Sequence, residues 1–216
     1  MKWLDNLERK ARRFAIPRLM IGLSAIMLGV FLTDLLLPDL GLSSWLYLDM
    51  GLVAQGQIWR LITFIFLPPA SSIFWIFFNL YFNCLIGTAL EREWGSFRFN
   101  IFYFSGMIFT IIGALFTGYA TNIYLNLSLF LAFAMIFPNF EVLIFFLIPV
   151  KVKYLAIIDA AFLLFQFIIT GWAGKVAILM SLLNVALFFG GDFLRNIREQ
   201  AGYWKTRRNF RKNYRR

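Results

Sequence analysis

The sequence predicts an all-α integral membrane protein that folds as a single bundle of six transmembrane helices. Of its 216 residues, 61% are hydrophobic and 15% are charged, a composition outside the range of ordinary soluble domains. The apolar residues are gathered in runs close to the roughly 20 residues that an α-helix needs to cross a bilayer. These runs leave little of the chain for a separate soluble domain.

The predicted spans follow one another closely, apart from one long loop after the first. They cover approximately residues 18–37, 72–90, 98–118, 124–138, 154–170 and 174–193. Residues 1–17 form a basic arm before the membrane domain of residues 18–193, and residues 194–216 form a basic tail after it. An even number of crossings places both ends on the same side of the membrane.

Lys and Arg residues assign that side to the cytoplasm, because cytoplasmic segments of membrane proteins are rich in them. Six basic residues occur up to residue 18, and nine occur after the last span. The loops predicted on the same side are basic as well, with Arg92, Arg98, Lys151 and Lys153. We therefore expect a multi-pass protein of the cell membrane with both termini in the cytoplasm.

The long loop between the first two spans, residues 38–71, is unusually apolar and is called the outer loop below. It contains Trp45, Tyr47, Leu52 and Phe64. Aromatic side chains favour the boundary between hydrocarbon and water. We expect the outer loop to lie partly in this interface.

Small residues recur at helical spacing in the first and third spans. Such stripes let helix backbones approach closely where no hydrophobic effect drives association. They therefore predict close packing of both spans in a compact bundle. The stripes are Gly22, Ala25, Gly29 and Thr33 in the first span, and Gly106, Thr110, Gly113 and Thr117 in the third.

Two amides, Asn79 and Asn83, interrupt the aromatic second span. Side chains four residues apart share a helix face, so the amides form one stripe with Trp75 and Gly87. Polar groups without a partner are expensive in hydrocarbon. The stripe is therefore predicted to face a specific partner.

The outer loop and the second span also carry a recognisable pattern. Residues 56–60 read GQIWR and continue as LITFIF, and the second span ends in LIGTALEREWGS. These segments resemble the rhomboid superfamily, whose members read G-Q-x-W-R-L-x-T-x-x-F in the first outer loop and G-x-x-L-E-x-x-x-G-S after an Asn-bearing second span. The matching residues include Trp59, Arg60, Glu91 and Gly95. The resemblance implies a six-span rhomboid-like bundle with an interfacial first outer loop.

The resemblance also assigns positions to a catalytic site. Active rhomboids are intramembrane serine proteases with a Ser in G-x-S-G at the start of the fourth span and a His in the sixth. Aligned on the Phe-Pro that ends the fourth span, Ile123 takes the serine position, and Asn184 takes the histidine position in the sixth. Asn79 keeps an amide that helps to bind the oxyanion, while Trp75 replaces its companion His.

These replacements predict a rhomboid without protease activity, a pseudoprotease-like member of bacterial type. A Ser hydroxyl needs a base, and an amide such as that of Asn184 does not titrate near neutral pH. The chain also has no histidine at all. We therefore expect no enzymatic activity.

For inactive members, the resemblance implies that they bind, retain or escort transmembrane client proteins. Trp59 and Arg60 would then anchor the outer loop. The competing interpretation is that the polar side chains only satisfy one another and stabilise the bundle. The candidate polar interior consists of Asn79, Asn83, Asn126, Ser128 and Asn184.

Two alternatives stay open on the sequence alone. One is an active intramembrane serine protease with a non-standard nucleophile, such as Ser128 or Ser181, and a non-standard base. The other is a small transporter or channel, although the ionisable residues do not line up across the spans as an ion pathway requires. No cofactor and no metal site are predicted, because the chain has no His and a single Cys.

The basic tail interleaves its nine Lys and Arg residues with aromatic side chains. Each basic residue near an anionic leaflet contributes about 1 kcal/mol to binding. We expect the tail to bind anionic lipids of the bilayer, and we do not expect nucleic acid as a partner, although such a composition would also suit it. The residues proposed for lipid or partner contact are Arg207, Arg208, Arg211 and Lys212.

Overall fold

The computed structural model describes residues 13, 15–69, 72–144 and 148–189. Nine α-helices occur in this part of the chain, numbered here in chain order. Five of them are long and apolar enough to cross a membrane: α1 (Leu19–Leu36), α5 (Ile73–Trp94), α6 (Ser96–Thr117), α8 (Val152–Ile169) and α9 (Trp172–Phe189). The others are α2 (Leu42–Leu46), α3 (Met50–Ala54), α4 (Arg60–Thr63) and α7 (Ile123–Ile136).

The five long helices confirm five of the six predicted spans, with ends within a few residues of those expected. The remaining one, predicted at 124–138, coincides with α7, which has only 14 residues. At 1.5 Å per residue α7 is about 21 Å long, which is shorter than the roughly 30 Å hydrocarbon core. The described structure is therefore a helical membrane protein with five full-length apolar helices and one short one.

The short helix α7 lies at the centre of the bundle. It packs against α5, α6 and α8, and its buried side chains include Leu125, Leu129 and Phe133. A helix surrounded by protein does not have to span the hydrocarbon itself, because neighbouring segments can satisfy the polar groups at its ends. This position explains how α7 can be shorter than the helices around it.

The two predicted small-residue stripes have different environments. The α6 stripe is closely packed: a methyl group added at Gly106 would lie 2.5 Å from Leu125 Cδ1, and one added at Gly113 would lie 3.3 Å from Met180 Cγ. In α1, by contrast, nothing lies within 4 Å of such a group at Gly22 or Gly29. The prediction of close packing is therefore wrong for α1, whose small residues lie on its exposed face.

The contact between α1 and α5 depends on Gly87 instead. A methyl group added there would overlap Met20, with Cγ only 2.5 Å away. Further along the same pair of helices, Met27 and Phe31 form a buried cluster with Ile76. Gly87 therefore sets how closely these two helices approach.

The outer loop folds into short helical segments, α2 to α4, and one two-residue strand, β1 (Leu48–Asp49). Strand β1 pairs with β2 (Tyr119–Ala120), which precedes α7, in antiparallel register. Apolar side chains of the loop remain exposed, including Trp45 and Ile62. This exposure suits a loop at the membrane interface.

A second strand pair follows α7 and was not predicted from the sequence. Strand β3 (Glu141–Ile144) pairs antiparallel with β4 (Ile148–Lys151), with Glu141 opposite Lys151 and Val142 opposite Val150. Lys153 at the start of α8 donates its backbone N–H to the carbonyl of Pro138. The hairpin thus joins the end of α7 to the start of α8.

Parts of both predicted termini fall outside the described residues. These parts are residues 1–12 and 14 of the basic arm and all of the basic tail, including Arg207, Arg208, Arg211 and Lys212.

Candidate functional site

Asn184, which was predicted to replace the histidine of active rhomboids, lies in a buried cluster with two serines. Its side chain is completely buried. Its Oδ1 accepts a hydrogen bond of 2.7 Å from the hydroxyl of Ser105, and its Nδ2 lies 3.4 Å from Ser128 Oγ and 3.3 Å from the carbonyl oxygen of Phe102. Ser105, Ser128 and Asn184 are called the serine–amide cluster, which joins α6, α7 and α9.

The serine–amide cluster owes its closeness to Gly106. A methyl group added to Gly106 would lie 2.7 Å from Asn184 Nδ2, so any larger residue would displace the amide. Ser105 was not predicted as part of the site. Its position directly before a glycine on the small-residue face of the third span is the one sequence feature that could have indicated it.

The two serines considered as alternative nucleophiles both donate their protons to backbone carbonyls. Ser128 Oγ donates to the carbonyl of Leu125 at 2.7 Å. Ser181 Oγ donates across the helix interface to the carbonyl of Tyr124 at 2.8 Å. A carbonyl cannot take up a proton as a general base does, so these contacts do not activate either hydroxyl.

Ile123, which was predicted to replace the nucleophilic serine, is the first residue of α7 and is 61% exposed. Its hydrocarbon side chain offers no group for acyl transfer. The hydrogen bonds that join α7 to α9 among the described residues involve Tyr124 and Ser128 instead. The structure therefore does not bring Ile123 into the serine–amide cluster.

Asn79 and Asn83 in α5 are half-buried and lie apart from the serine–amide cluster. Asn79 Nδ2 donates to the carbonyl of Trp75 in its own helix at 2.8 Å. The side chain of Asn83 forms no hydrogen bond with any residue that the structure describes. In α7, Asn126 is also half-buried, and its Oδ1 is buried with no partner within the described ranges. These three residues, Asn79, Asn83 and Asn126, are called the open amides.

Aromatic rings mark the contact between α5 and α7. The rings of Phe78 and Phe82 stack with centroids 6.1 Å apart, and Phe82 contacts Phe130 of α7 at 5.8 Å. Asn126 precedes Phe130 by one helical turn on the same face. Asn126 therefore lies on the side of α7 that faces α5.

The predicted polar interior is therefore divided in two. Ser128 and Asn184 belong to the serine–amide cluster, whose members satisfy one another. The open amides form no hydrogen bond with that cluster or with each other among the described residues. The serine–amide cluster forms where α6 and α9 meet α7, whereas Asn126 lies on the side of α7 that faces α5.

Arg60 is buried beneath the outer loop, with 4% of its side chain exposed. Its Nη1 donates to the carbonyl oxygens of Ser44 and Tyr47 at 3.0 and 2.9 Å, and its Nε donates to Gln57 Oε1 at 2.8 Å. Its guanidinium also lies over the ring of Tyr47, 5.1 Å from the centroid. The neighbouring Trp59 is 44% exposed. Of the two residues, Arg60 makes the contacts that connect the loop internally.

Asn122 connects the outer loop to the bundle and was missed in the sequence. It is buried, and its Nδ2 donates to the carbonyls of Ile65 and Leu67 at 3.3 and 2.8 Å. It precedes the first turn of α7 but forms no side-chain capping bond there. An Asn at a predicted helix start suggests an N-cap, so reasoning from the local sequence would have assigned the wrong role to Asn122.

Glu91 and Gly95 form the turn between α5 and α6. Glu91 Oε1 accepts hydrogen bonds from the backbone N–H of Arg18 and from Ser96 Oγ, at 2.9 and 2.5 Å. Gly95 has a φ of +81°, a backbone conformation that side chains strongly disfavour. These two motif residues therefore have structural roles, at the end of the bundle opposite the outer loop.

Two comparisons place this arrangement among known proteins. Residues 55–190, more than half of the chain, match the family described as the rhomboid domain. A segment of 58 residues is 38% identical to Rhomboid-like protease 1 of Toxoplasma gondii; it makes up 27% of this chain and 19% of that protein. The chain thus matches about a fifth of the length of that relative. It is a multi-pass membrane protein that belongs to the rhomboid family.

Proposed function

We propose that this rhomboid binds transmembrane segments of client proteins without cleaving them. The chain has no histidine, and the residues at the nucleophile and base positions are an isoleucine and an amide. Asn184 is held by hydrogen bonds to Ser105 and Ser128. An amide in this setting can accept and donate hydrogen bonds, but it cannot take a proton from a nucleophile near neutral pH.

The hydrogen bonds of Ser128 and Ser181 argue against the alternative of a protease with a non-standard nucleophile. Both hydroxyls donate to carbonyl oxygens, and neither bonds to a titratable side chain within the part of the chain that the structure describes. In active serine enzymes, the base that accepts the hydroxyl proton lies within hydrogen-bond reach. On this ground we favour binding over cleavage.

The observation that carries the proposal is the buried Oδ1 of Asn126, which has no partner among the described residues. An unsatisfied acceptor in hydrocarbon costs free energy, which a donor on an incoming helix would recover. Clients with a polar residue within their span would therefore be preferred over purely apolar ones. Asn126 supplies this selectivity beside the contact between α5 and α7.

The surface around α5 is suited to such a client. The outer half of α5 exposes large side chains, including Phe74, Trp75 and Phe77. Helices α5 and α8 both pack on α7, but they do not form a main interface with each other among the described residues. A client helix can therefore approach the open amides between α5 and α8.

Crosslinking with defined peptides tests the proposal. A photoreactive phenylalanine analogue would replace Trp75, which is 47% exposed and lies on the same helix face as Asn79. The protein would be reconstituted with a single-span polyleucine peptide or with the same peptide carrying one central Gln. We expect the Gln peptide to crosslink about threefold to tenfold more, which corresponds to one interhelical hydrogen bond in a membrane.

Matched controls separate binding from structural effects. The same analogue at Phe116, which is 67% exposed on α6, should show no preference for the Gln peptide. Asn126→Leu should abolish the preference at Trp75, whereas Asn184→Leu should keep it. Equal crosslinking of both peptides, or loss of folding in Asn126→Leu before any loss of preference, would show that the amides only stabilise the bundle.

The cellular setting of this function follows the charge pattern and is part of the proposal. We place the protein in the cell membrane with both termini in the cytoplasm and with the basic tail on anionic lipid. A reporter that is active only in the cytoplasm, fused after Arg216, tests this orientation. If the fusion after Arg216 is inactive and a fusion in the outer loop is active, the orientation is the reverse of the one proposed.

A further inference from the structure

A groove of about 750 Å³ lies between α7, α8 and α9. Its lining is apolar, with side chains such as Leu131, Ile157 and Leu182, except at one end, where Lys153 is the one charged residue among the described lining. None of the open amides and no member of the serine–amide cluster lines it. The groove is therefore a feature separate from the proposed client site.

The groove exists because α8 packs loosely. Within α8, only Val152 and Leu163 are buried, and small side chains, including Ala156 and Ala160, face the gap. In water such an apolar groove would be a liability, but in a bilayer hydrocarbon chains can fill it. A molecule that occupies the groove has to fit both the shape of the groove and its charge.

The groove is long enough for the acyl chain of a lipid. From Lys153 to Phe167, both of which line it, fourteen residues of α8 rise about 21 Å, more than half of the roughly 30 Å hydrocarbon core. An acyl chain of one leaflet, about 15 Å long, therefore fits along it.

The charge at the end of the groove indicates the headgroup. Lys153 is the second residue of α8, and its Nζ lies 5.1 Å from the ring centroid of Tyr154. At the start of a helix long enough to cross the membrane, its side chain can reach the level of the headgroups. Basic pockets between transmembrane helices suit anionic headgroups.

We propose that this groove binds one anionic phospholipid, with an acyl chain between α8 and α9 and its phosphate beside Lys153. Lipid at this site fills the gap beside α8 and supports its position against α7. The bound lipid is thus a component of the folded protein and is chemically distinct from a transmembrane client.

Native mass spectrometry of the full-length protein tests the headgroup preference. Phosphatidylglycerol and phosphatidylcholine with identical acyl chains would be titrated separately, and phosphatidylglycerol should bind more tightly. Lys153→Gln should reduce this preference about fivefold, the contribution of one basic residue at a membrane surface. The control is Arg92→Gln near the end of α5, where the Arg is exposed and does not line the groove; it should have no effect.

A second pair of variants tests the groove itself. Ala160 lines it, and the adjacent Ala161 is exposed but does not. Ala160→Phe should weaken binding of both lipids about tenfold, as displacement of two methylene groups would, whereas Ala161→Phe should leave binding unchanged. Equal affinity for the two lipids in the unmodified protein, or unchanged binding in Ala160→Phe, would show that only bulk lipid contacts this surface.

Ala160→Phe also separates this inference from the proposed function. Crosslinking of the Gln peptide at Trp75 should persist in this variant, because the groove and the open amides do not share residues. A melting temperature close to that of the unmodified protein would establish that the loss of lipid is not a loss of fold.

Discussion

Asn184 is fully buried and forms three hydrogen bonds, yet we expect Asn184→Leu to lower the free energy of unfolding by only about 1–2 kcal/mol. The bond from Ser105 is short at 2.7 Å, whereas the two from Nδ2, at 3.3 and 3.4 Å, are longer than usual for N–H donors. Interhelical hydrogen bonds in membranes average about 0.6 kcal/mol. Leucine has the same branching and the same number of side-chain heavy atoms as asparagine, so no cavity should form.

The two serines that bond to Asn184 keep other hydrogen-bond acceptors when the amide is removed, so the loss of stability stays small. Ser105 Oγ can still donate to the carbonyl of Phe102 at 2.9 Å, and Ser128 Oγ to that of Leu125 at 2.7 Å. The substitution therefore leaves no orphaned hydroxyl, the situation that makes buried polar deletions expensive.

Asn126→Leu should change the free energy of unfolding in the opposite direction. Its buried Oδ1 has no partner within the described part of the chain, so removal of this acceptor from an apolar setting should stabilise the fold by about 1 kcal/mol. Reversible unfolding in mixed micelles measures both changes. A shift of the denaturant midpoint, with the slope of unfolding free energy against denaturant concentration unchanged, gives the change in stability. Equal destabilisation by Asn126→Leu and Asn184→Leu would refute the division between the open amides and the serine–amide cluster.

Three further predictions concern the outer loop, helix packing and chemistry. Arg60→Gln should loosen the outer loop, because it removes hydrogen bonds to two carbonyls and lowers the stability of the loop by about 3 kcal/mol. Hydrogen exchange should become faster in the loop but not in α6. Gly87→Ala should destabilise the bundle by about 1–3 kcal/mol through overlap with α1, whereas Gly29→Ala, with open space around it, should be neutral or slightly stabilising in the same unfolding measurement. A fluorophosphonate probe should not label the protein, and labelling that disappears in Ser128→Ala or Ser181→Ala would instead support a serine protease.

The helical framework was predictable because its signal is local. A run of about 20 apolar residues indicates a membrane span whatever surrounds it, and five of the predicted helices occur at the expected places. The same reasoning was insufficient for α7, since a short apolar segment can be a span or a buried core helix. The strand pair at Glu141–Ile144 was missed because its apolar sequence lies in a segment predicted as a loop.

The grouping of the polar side chains depends on tertiary structure and could not be read from the sequence. Ser105 and Asn184 are 79 positions apart, and only the crossing of α6 and α9 brings them together. The stripes of small residues illustrate the same limit, because spacing alone does not tell whether Gly29 or Gly106 faces a neighbouring helix. The replacement of the family's catalytic serine and histidine by Ile123 and Asn184 stays a prediction from the sequence.

The shortness of α7 has a consequence for how the protein is made. A segment of 14 residues is too short to be recognised as a membrane span on its own, so it would not be retained in the bilayer when it first leaves the ribosome. Only the short connection of residues 118–122 separates it from α6, and Asn122 requires the carbonyls of the outer loop. We therefore expect α7 to insert only after α6 and the outer loop are in place, which would give biogenesis of the bundle a defined order.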